Sequence, residues 1–392
     1  MTPVIKIKKG REHFLLRGHP WVFAESLLES PNLPAGAVVE VHDSNDHFLA
    51  MAFYNQHSSI MLRVLTRNRI QIDQVWFKEQ LMASIARRDK WKKDDHEIQR
   101  WVAFEGDGIP GLIVDRYGDY FIFQILSAGT ENFRETILQT LSEYGPLGII
   151  ERSDEKVREK EGLEERKEIC CGQLPPKDWR AKEHGISYTI DLWQGHKTGF
   201  YIDQATNRQK ICSLGAEGGK VLNCFSYTGG FTLNALKGGA HSVTSVDTSL
   251  PALEILEENL QENGFDPEKN EQIQGDVFEV LKSFSGQSFH GVILDPPKFA
   301  SRKQHVKNAL KGYRELNVLG MKLVSVGGWL ATFTCSGRIS REEFQHAVEE
   351  AALKAGQVYV IEDVLTQSED HSVRLGFSDS LYLKGLLLRR VE

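Results

Sequence analysis

The sequence predicts an α/β protein. A Rossmann-like parallel sheet fills the C-terminal half, a β-rich barrel stands at the N-terminus, and an α+β domain lies between them. Three observations carry that prediction. The stretch Val221 to Phe231 (VLNCFSYTGGF) reads as a buried strand, a turn holding Gly229 and Gly230, and the start of a helix. From Val221 onward, short apolar runs alternate with helical periodicity, as a parallel sheet covered by helices on both faces requires. Before residue 70 the pattern is different: β-branched and aromatic runs are broken by turn residues.

The chain has 392 residues, 41% hydrophobic and 26% charged, a length that suits two or three domains. No apolar run approaches the roughly 18–20 residues that cross a bilayer, so no membrane partner is expected. The opening MTPVIKIKKGREHF lacks the apolar core of a signal peptide. Five cysteines show neither a disulfide framework nor a zinc ribbon, which points to a reducing, cytoplasmic location. The net charge of −7 argues against a protein that is basic all over. The basic face is local: residues 1–24 hold Lys6, Lys8, Lys9, Arg11 and Arg17 against Glu12 alone, five minus one, a balance of +4.

Within residues 1–70, Val38 to Val41, Phe48 to Tyr54 and Ile60 to Leu65 are expected strands. Lys8, Lys9, Arg11 and Arg17 are interleaved with Phe14, Trp21 and Phe23. This composition suits RNA, because phosphates need cations and bases need flat surfaces. Trp21 and Phe23 serve equally well as barrel core. In residues 71–184, Asp73 can cap a helix with Phe77, Leu81 and Ile85 on one face. That helix runs into ARRDKWKKDD, a solvated end. Glu105 and Asp107, in a glycine loop between two β-like pieces, suit either a metal or a hairpin turn whose acids take backbone N–H groups. Phe121 to Leu126, a helix around Glu131 to Tyr144, and Gly148 to Glu151 complete this domain. Residues 153–168 are almost wholly charged and are expected to form an exposed, flexible connection.

Residues 185–392 carry the parallel sheet. The loop Gly195 to Phe200 precedes a helix over Asp203 to Leu214. Strands are expected at 221–225, 242–247, Glu271 to Gln274, 291–295, 329–334 and Gln357 to Asp363, with Tyr382 to Leu388 closing the sheet. A helix over Pro251 to Asn263 places Leu253, Leu256 and Leu260 on one face.

In such sheets ligands sit at the carboxyl ends of the strands. The turn residues Asn223, Phe225, Tyr227, Thr228 and Gly229 follow the first strand. Asp247 ends the second, where a carboxylate can accept both ribose hydroxyls. Asp276, beside Val277 and Phe278, suits an adenine edge. Asp295 opens DPPKF, and Cys335 lies in FTCSG. The turn lacks full G-x-G-x-x-G spacing and has no cation aimed at a pyrophosphate. An adenosine ligand without phosphate fits, and S-adenosylmethionine is the candidate.

The chain resembles the RlmI-type 23S ribosomal RNA (cytosine-C5) methyltransferases over essentially its whole length. The motifs, in family order, are IKIKKGREHFLLRGHPWVF, FEGDGIPGLIVDRYGD, ERSDEKVREKEGL, GHKTGFYIDQATNR, NCFSYTGGF, DPPKF, FTCSG and YLKG. The resemblance implies an N-terminal PUA-like domain that binds RNA and a C-terminal class I methyltransferase domain that uses S-adenosylmethionine. It further implies that Cys335 is the nucleophile. A thiolate added to C6 of cytosine makes C5 nucleophilic toward the methyl group and is then expelled. Asp295 is expected to contact both cofactor and target base, and Lys298 to meet base or phosphate. Lys197, Thr198 and Phe200 match the family's KTGF and suit a cleft lining or a hinge. Cys224 reads as packing. A homodimer is one assembly left open. Two alternatives stand beside this reading: methylation of another rRNA base or atom, and a non-catalytic RNA-binding assembly factor with a vestigial cofactor site.

Overall fold

Contacts divide the protein, in this computed structural model, into two units; residues 2–91, 95–284, 289–299 and 305–392 are described. Lys92, Lys93 and Asp94, at the end of the expected charge run, lie outside them.

The first unit is built from residues 1–182, 190–202 and 369–380. Its first sheet contains β1 (Val4–Lys6), β2 (Trp21–Phe23), β3 (Ala37–His42), β4 (Phe48–Tyr54) and β5 (Ile60–Thr66), in the order β1-β3-β4-β5-β2. A single helical turn, α1 (His13–Leu16), separates β1 from β2. Alternation along β3 and β4 directs Val39, Val41, Ala50 and Ala52 inward, where they meet Ile5, Ile7 and Val64. The second sheet contains β6 (Ile98–Ala103), β7 (Leu112–Tyr117), β8 (Tyr120–Ile125), β9 (Gly148–Ser153) and β10 (Arg166–Gly172), in the order β10-β9-β8-β7-β6.

Helices α2 (Gln74–Ala86), α3 (Ala128–Glu131) and α4 (Arg134–Ser142) accompany this sheet. The Asp73 carboxylate accepts the Trp76 N–H and starts α2, whose Phe77, Leu81 and Ile85 are buried. Phe77 stacks on Phe133 with centroids 4.4 Å apart. Phe53 and Leu65 of the first sheet enter the same core.

The charged stretch 153–168 is mostly exposed, as expected, but Ser153, Arg158 and Glu161 are buried and pin it to the fold. Arg158 is buried and donates to the Ile125 and Glu164 carbonyls and to Glu131. Glu161 is buried and accepts from Asn55, Ser58 and Arg63. Charged residues go inside when each finds partners, and those partners lie up to 106 residues away in sequence. Composition alone cannot reveal them.

The second unit comprises residues 183–189, 203–368 and 381–392. The boundary falls inside a small hairpin of β11 (Ala181–Glu183) and β12 (Ile186–Tyr188). Then follow α5 (Ala205–Gly215), β13 (Lys220–Cys224), α6 (Gly230–Gly238), β14 (Ser242–Asp247), α7 (Leu250–Glu262), β15 (Asn270–Gln274), α8 (Val277–Ser283) and β16 (Phe289–Leu294). The chain ends with α9 (Val306–Met321), β17 (Val324–Thr334), α10 (Arg341–Ala355), β18 (Tyr359–Thr366) and β19 (Lys384–Arg390).

The seven strands lie in the order β15-β14-β13-β16-β17-β19-β18. The first five run parallel, and β19 lies antiparallel to both its neighbours. The last strand therefore slots inside the sheet, because β18 and β19 pair antiparallel as they return. Helices cover both faces, and Leu222, Val292, Leu294, Leu330, Tyr313 and Phe344 fill one layer of core. Strand order reverses between β13 and β16, so a crevice opens beyond their carboxyl ends.

Candidate active site

The turn after β13 is shaped by its backbone. Phe225 (φ +61°), Tyr227 (φ +48°) and Gly229 (φ +86°) are left-handed and alternate with residues that are not. Such conformations cost non-glycine residues roughly 1–2 kcal/mol each, so they persist only where other bonds hold them. Here the Ser226 N–H donates to the Val246 carbonyl at 3.0 Å and the Tyr227 N–H to Asp247 Oδ2 at 2.8 Å. The Ser249 N–H donates to Asp247 Oδ1 at 2.9 Å. Asp247 is thus fixed by two amides at the end of β14 and half-buried. At Gly229 a Cβ would collide with Leu256 of α7.

Asn223 is fully buried and donates to Thr232 Oγ1 at 2.9 Å, which meets Ser245 Oγ at 2.7 Å, tying β13, α6 and β14 together. Asn223 Oδ1, Ser226 Oγ and Thr228 Oγ1 are buried polar atoms with no hydrogen-bond partner among the described residues. Asp276 is exposed, and its Oδ1 caps α8 by accepting from Phe278 N at 2.9 Å and Glu279 N at 3.2 Å. The ring of Phe278 lies 6.4 Å from Phe299, which in turn lies 4.6 Å from Tyr313.

Asp295 follows the last residue of β16. Gln204 Nε2 donates to its Oδ2 at 3.0 Å. The Gln204 amide is itself oriented: its Oε1 accepts from Asn207 Nδ2 at 2.5 Å, and Asn207 also donates to the Thr366 carbonyl at 2.9 Å. Both amides are buried. Lys298, past the two prolines, is exposed.

Cys335 follows the last residue of β17, the strand paired in parallel with β16 through Leu294 and Thr332. It is partly exposed, while its neighbours Thr334 and Ser336 are buried. Thr334 Oγ1 donates to the Tyr313 hydroxyl at 2.8 Å, and that hydroxyl meets Ser336 Oγ at 3.2 Å. Buried Lys384 donates to the Ser336 carbonyl at 3.2 Å. The backbone carrying the thiol is therefore clamped from α9 and from β19. Burial pushes the Tyr313 hydroxyl above its ordinary pKa; hydrogen bonds from Ser336 and Thr334 oppose this, and the nearby Cys335 adds to it. The other thiols differ. Cys224 is fully buried, and burial drives it far above the usual thiol range. Burial pushes Cys170 up to about 11 and also raises Cys212. None of the five cysteines is in a disulfide.

The structure thus brings Phe225, Tyr227, Thr228, Gly229, Asp247, Asp276, Asp295 and Cys335 to strand ends of one sheet, with Asn223 in the strand beneath. Lys8, Lys9, Arg11 and Arg17 belong to the first unit, where all four are exposed and Lys8 Nζ donates to the Glu25 carbonyl at 2.9 Å. Trp21 is half-buried there, donating Nε1 to Glu105 at 2.7 Å; Phe23 is exposed. Glu105 and Asp107 already hold cations. Glu105 pairs with Arg63 at 2.5 Å, and Asp107 takes a two-pronged bond from Arg88, both at 2.7 Å. Thr198 is buried in the same unit, bonded to Asp115 at 2.6 Å and Tyr117 at 3.0 Å. Among the described residues, Glu151, Glu168 and Cys170 converge closely enough for a metal, but the Arg134 guanidinium bonds to all three.

Gln204, Asn207 and Lys384 lie in motifs quoted above but are given no role there, and Tyr313 is not singled out. The pair Gln204 and Asn207 could have been found as two amides at helical spacing beside Asp203. Tyr313 carries no such signal, since it reads as an ordinary apolar position of α9.

A model of the PUA-like domain matches residues 5–67, and a model of S-adenosylmethionine-dependent methyltransferases matches residues 164–388. The chain is 40% identical over 392 residues to ribosomal RNA large subunit methyltransferase I of Vibrio cholerae, covering 98% of each. It is 40% identical over 395 residues to the protein of that name from Aeromonas salmonicida, covering 99% of this chain and 100% of that one. Two solved structures match over 100% of both chains at 24% identity and show the fold. One is a Streptococcus mutans protein described as a SAM-dependent methyltransferase, with a TM-score of 0.86; the other is SMU.776, described as a methyltransferase and solved with SAH, with a TM-score of 0.87.

S-adenosylmethionine, the cofactor of this family, suits the residues present. Asp247 is a fixed carboxylate, the kind of acceptor that vicinal hydroxyls require, and the turn holds buried polar atoms without hydrogen-bond partners among the described residues. Phe278 supplies an apolar ring beside Asp276.

Proposed function

Because the chain belongs to the ribosomal RNA large subunit methyltransferase I family of S-adenosylmethionine-dependent enzymes, we propose that it methylates C5 of a cytosine in 23S rRNA through a covalent adduct at Cys335. The observation that carries the reading is a partly exposed thiol at the end of β17, beside the strand that delivers Asp295.

Carbon 5 of cytosine is a poor nucleophile. Addition of the Cys335 thiolate to C6 makes C5 enamine-like. When bound, S-adenosylmethionine supplies an electrophilic methyl group to that carbon. Loss of the C5 proton to a base then expels the thiolate and restores the ring. Asp295 accepts from the exocyclic amine and from protonated N3, offsetting the charge that develops on attack. Gln204 holds that carboxylate in place. Asp247 accepts the ribose hydroxyls, Asp276 and Phe278 receive the adenine, and the turn from Phe225 to Gly229 cradles the remainder. Lys8, Lys9, Arg11 and Arg17 meet RNA phosphates, and Lys298 meets base or phosphate. The target base must leave any helix before it can react.

The test is methyl transfer from radiolabelled S-adenosylmethionine to rRNA from cells lacking the gene, followed by nucleoside analysis. Formation of 5-methylcytidine by wild type, with none from Cys335→Ala that still binds cofactor, is the expected result. Another methylated nucleoside, or full activity in the variant, overturns the mechanism.

A further inference from the structure

Most buried or half-buried arginines here are matched to carboxylates: Arg63, Arg88, Arg100, Arg134, Arg158, Arg208 and Arg389 all form ion pairs. Two other arginines of the first unit, one exposed and one half-buried, have guanidinium groups that bond only to backbone carbonyls among the described residues. Arg67, just past β5, is exposed, and its guanidinium donates to the Leu15 carbonyl at the end of α1. Arg374 is half-buried, with Nη1 3.5 Å from the Glu105 carbonyl and its backbone N–H donating to Ser380 Oγ at 3.0 Å. Neither is in an ion pair within the described residues.

The segment 369–380 brings Arg374 to the exit of α1. A Cβ at Gly18 would stand 3.0 Å from the Leu375 carbonyl, and one at Gly376 would collide with the Arg17 carbonyl. Arg17 is itself exposed at this place. Burial, followed by the charge of Arg67, holds Arg374 below the usual guanidinium range, and the Glu105 carboxylate opposes this. Glu105 is committed to Arg63 and Trp21. The same segments leave apolar side chains in water: Leu375 is 95% exposed, Phe14 54% and Leu16 53%.

We infer that Arg67 and Arg374, with Arg17 beside them, form a phosphodiester-binding site that holds the RNA backbone on the first unit. Guanidinium forks match phosphate oxygens, and neighbouring like charges that form no ion pair of their own are relieved by an anion. Exposed Phe14 and Leu375 give neighbouring bases an apolar surface. The inference rests on the RNA substrate proposed above. It adds a contact from residue 374, within the stretch that the methyltransferase model matches.

The experiment measures binding of the full chain to protein-free 23S rRNA across a salt series, comparing wild type with Arg67→Gln/Arg374→Gln and Arg67→Lys/Arg374→Lys. Melting temperature and S-adenosylmethionine binding verify folding. The site predicts that the Gln pair flattens the slope of log affinity against log salt by about 1 and weakens binding roughly tenfold at low salt. The Lys pair keeps the slope. A wild type that binds rRNA with a salt slope identical to that of a folded Gln pair overturns the site and leaves the RNA reading standing. A wild type without salt-dependent RNA binding overturns both. If inorganic phosphate raises the melting temperature of wild type but not of the Gln pair, while their rRNA affinities are equal, the site takes free phosphate and the RNA inference fails.

Discussion

Gly229 shows how one residue can set a site. Its φ of +86° would strain any other residue, and the Leu256 side chain at its face leaves no room for a Cβ. Gly229→Ala is expected to weaken S-adenosylmethionine binding at least roughly tenfold, since a left-handed alanine alone costs about 1–2 kcal/mol. Calorimetric titration measures the affinity, and an unchanged value would remove the turn from the cofactor site. The two thiols at strand ends make a sharper contrast. Cys224 is buried, and burial disfavours its thiolate, so Cys224→Ala should cost stability of about 1 kcal/mol and leave turnover within roughly twofold. Cys335→Ala should abolish turnover and keep the cofactor. Steady-state methyl transfer distinguishes the two.

At the scale of elements, the ends of β16 and β17 matter because other elements hold them. Tyr313 of α9 bonds to both residues that flank Cys335. Tyr313→Phe removes these bonds, and a loss of about 1–2 kcal/mol is expected, with kcat reduced and cofactor affinity kept. Chemical denaturation and initial rates measure the pair. In the first unit, Asp107 joins the loop after β6 to Arg88 and Ser372. Burial would raise the Asp107 carboxyl, yet the Arg88 fork, the Ala103 N–H and the Ser372 hydroxyl together hold it below the usual carboxylate range. A carboxylate depressed in the folded state contributes stability above its unfolded pKa of about 4 and loses that contribution as pH falls through the lower folded value. Asp107→Ala leaves Arg88 buried without its partner and should cost about 3–5 kcal/mol near neutrality, with less difference from wild type in strong acid. Urea melts at the two pH values test this.

Across the whole molecule, much of the architecture could be read from the sequence. The strand over 242–247 matches β14 residue for residue, and the Asp73 cap and its buried Phe77, Leu81 and Ile85 follow from helical spacing. Parallel strands buried on both faces leave continuous apolar runs, so their ends and the residues there are visible. What stayed hidden depends on distant partners. Arg158 and Glu161 looked solvated because their acceptors and donors lie far away in sequence. Gln204 gains its place at Asp295 across 91 residues. The return of residues 369–380 to the first unit has no compositional mark, since the segment reads as a loop between two strands. Among the described residues, no helix is long and apolar enough to cross a membrane.

In the proposed mechanism Cys335 attacks C6 of a cytosine whose C5 is then methylated. The most direct measurement replaces the cytosines of the rRNA substrate by 5-fluorocytosine and follows the protein on a denaturing gel with S-adenosylmethionine present. Fluorine at C5 cannot leave as a proton, so the thiolate cannot be expelled. A stable protein–RNA adduct is expected with wild type, mapped by mass spectrometry to Cys335, and none with Cys335→Ala. Undiminished adduct in that variant, or turnover of unsubstituted rRNA by wild type without any trapped species on the fluorinated one, would contradict it.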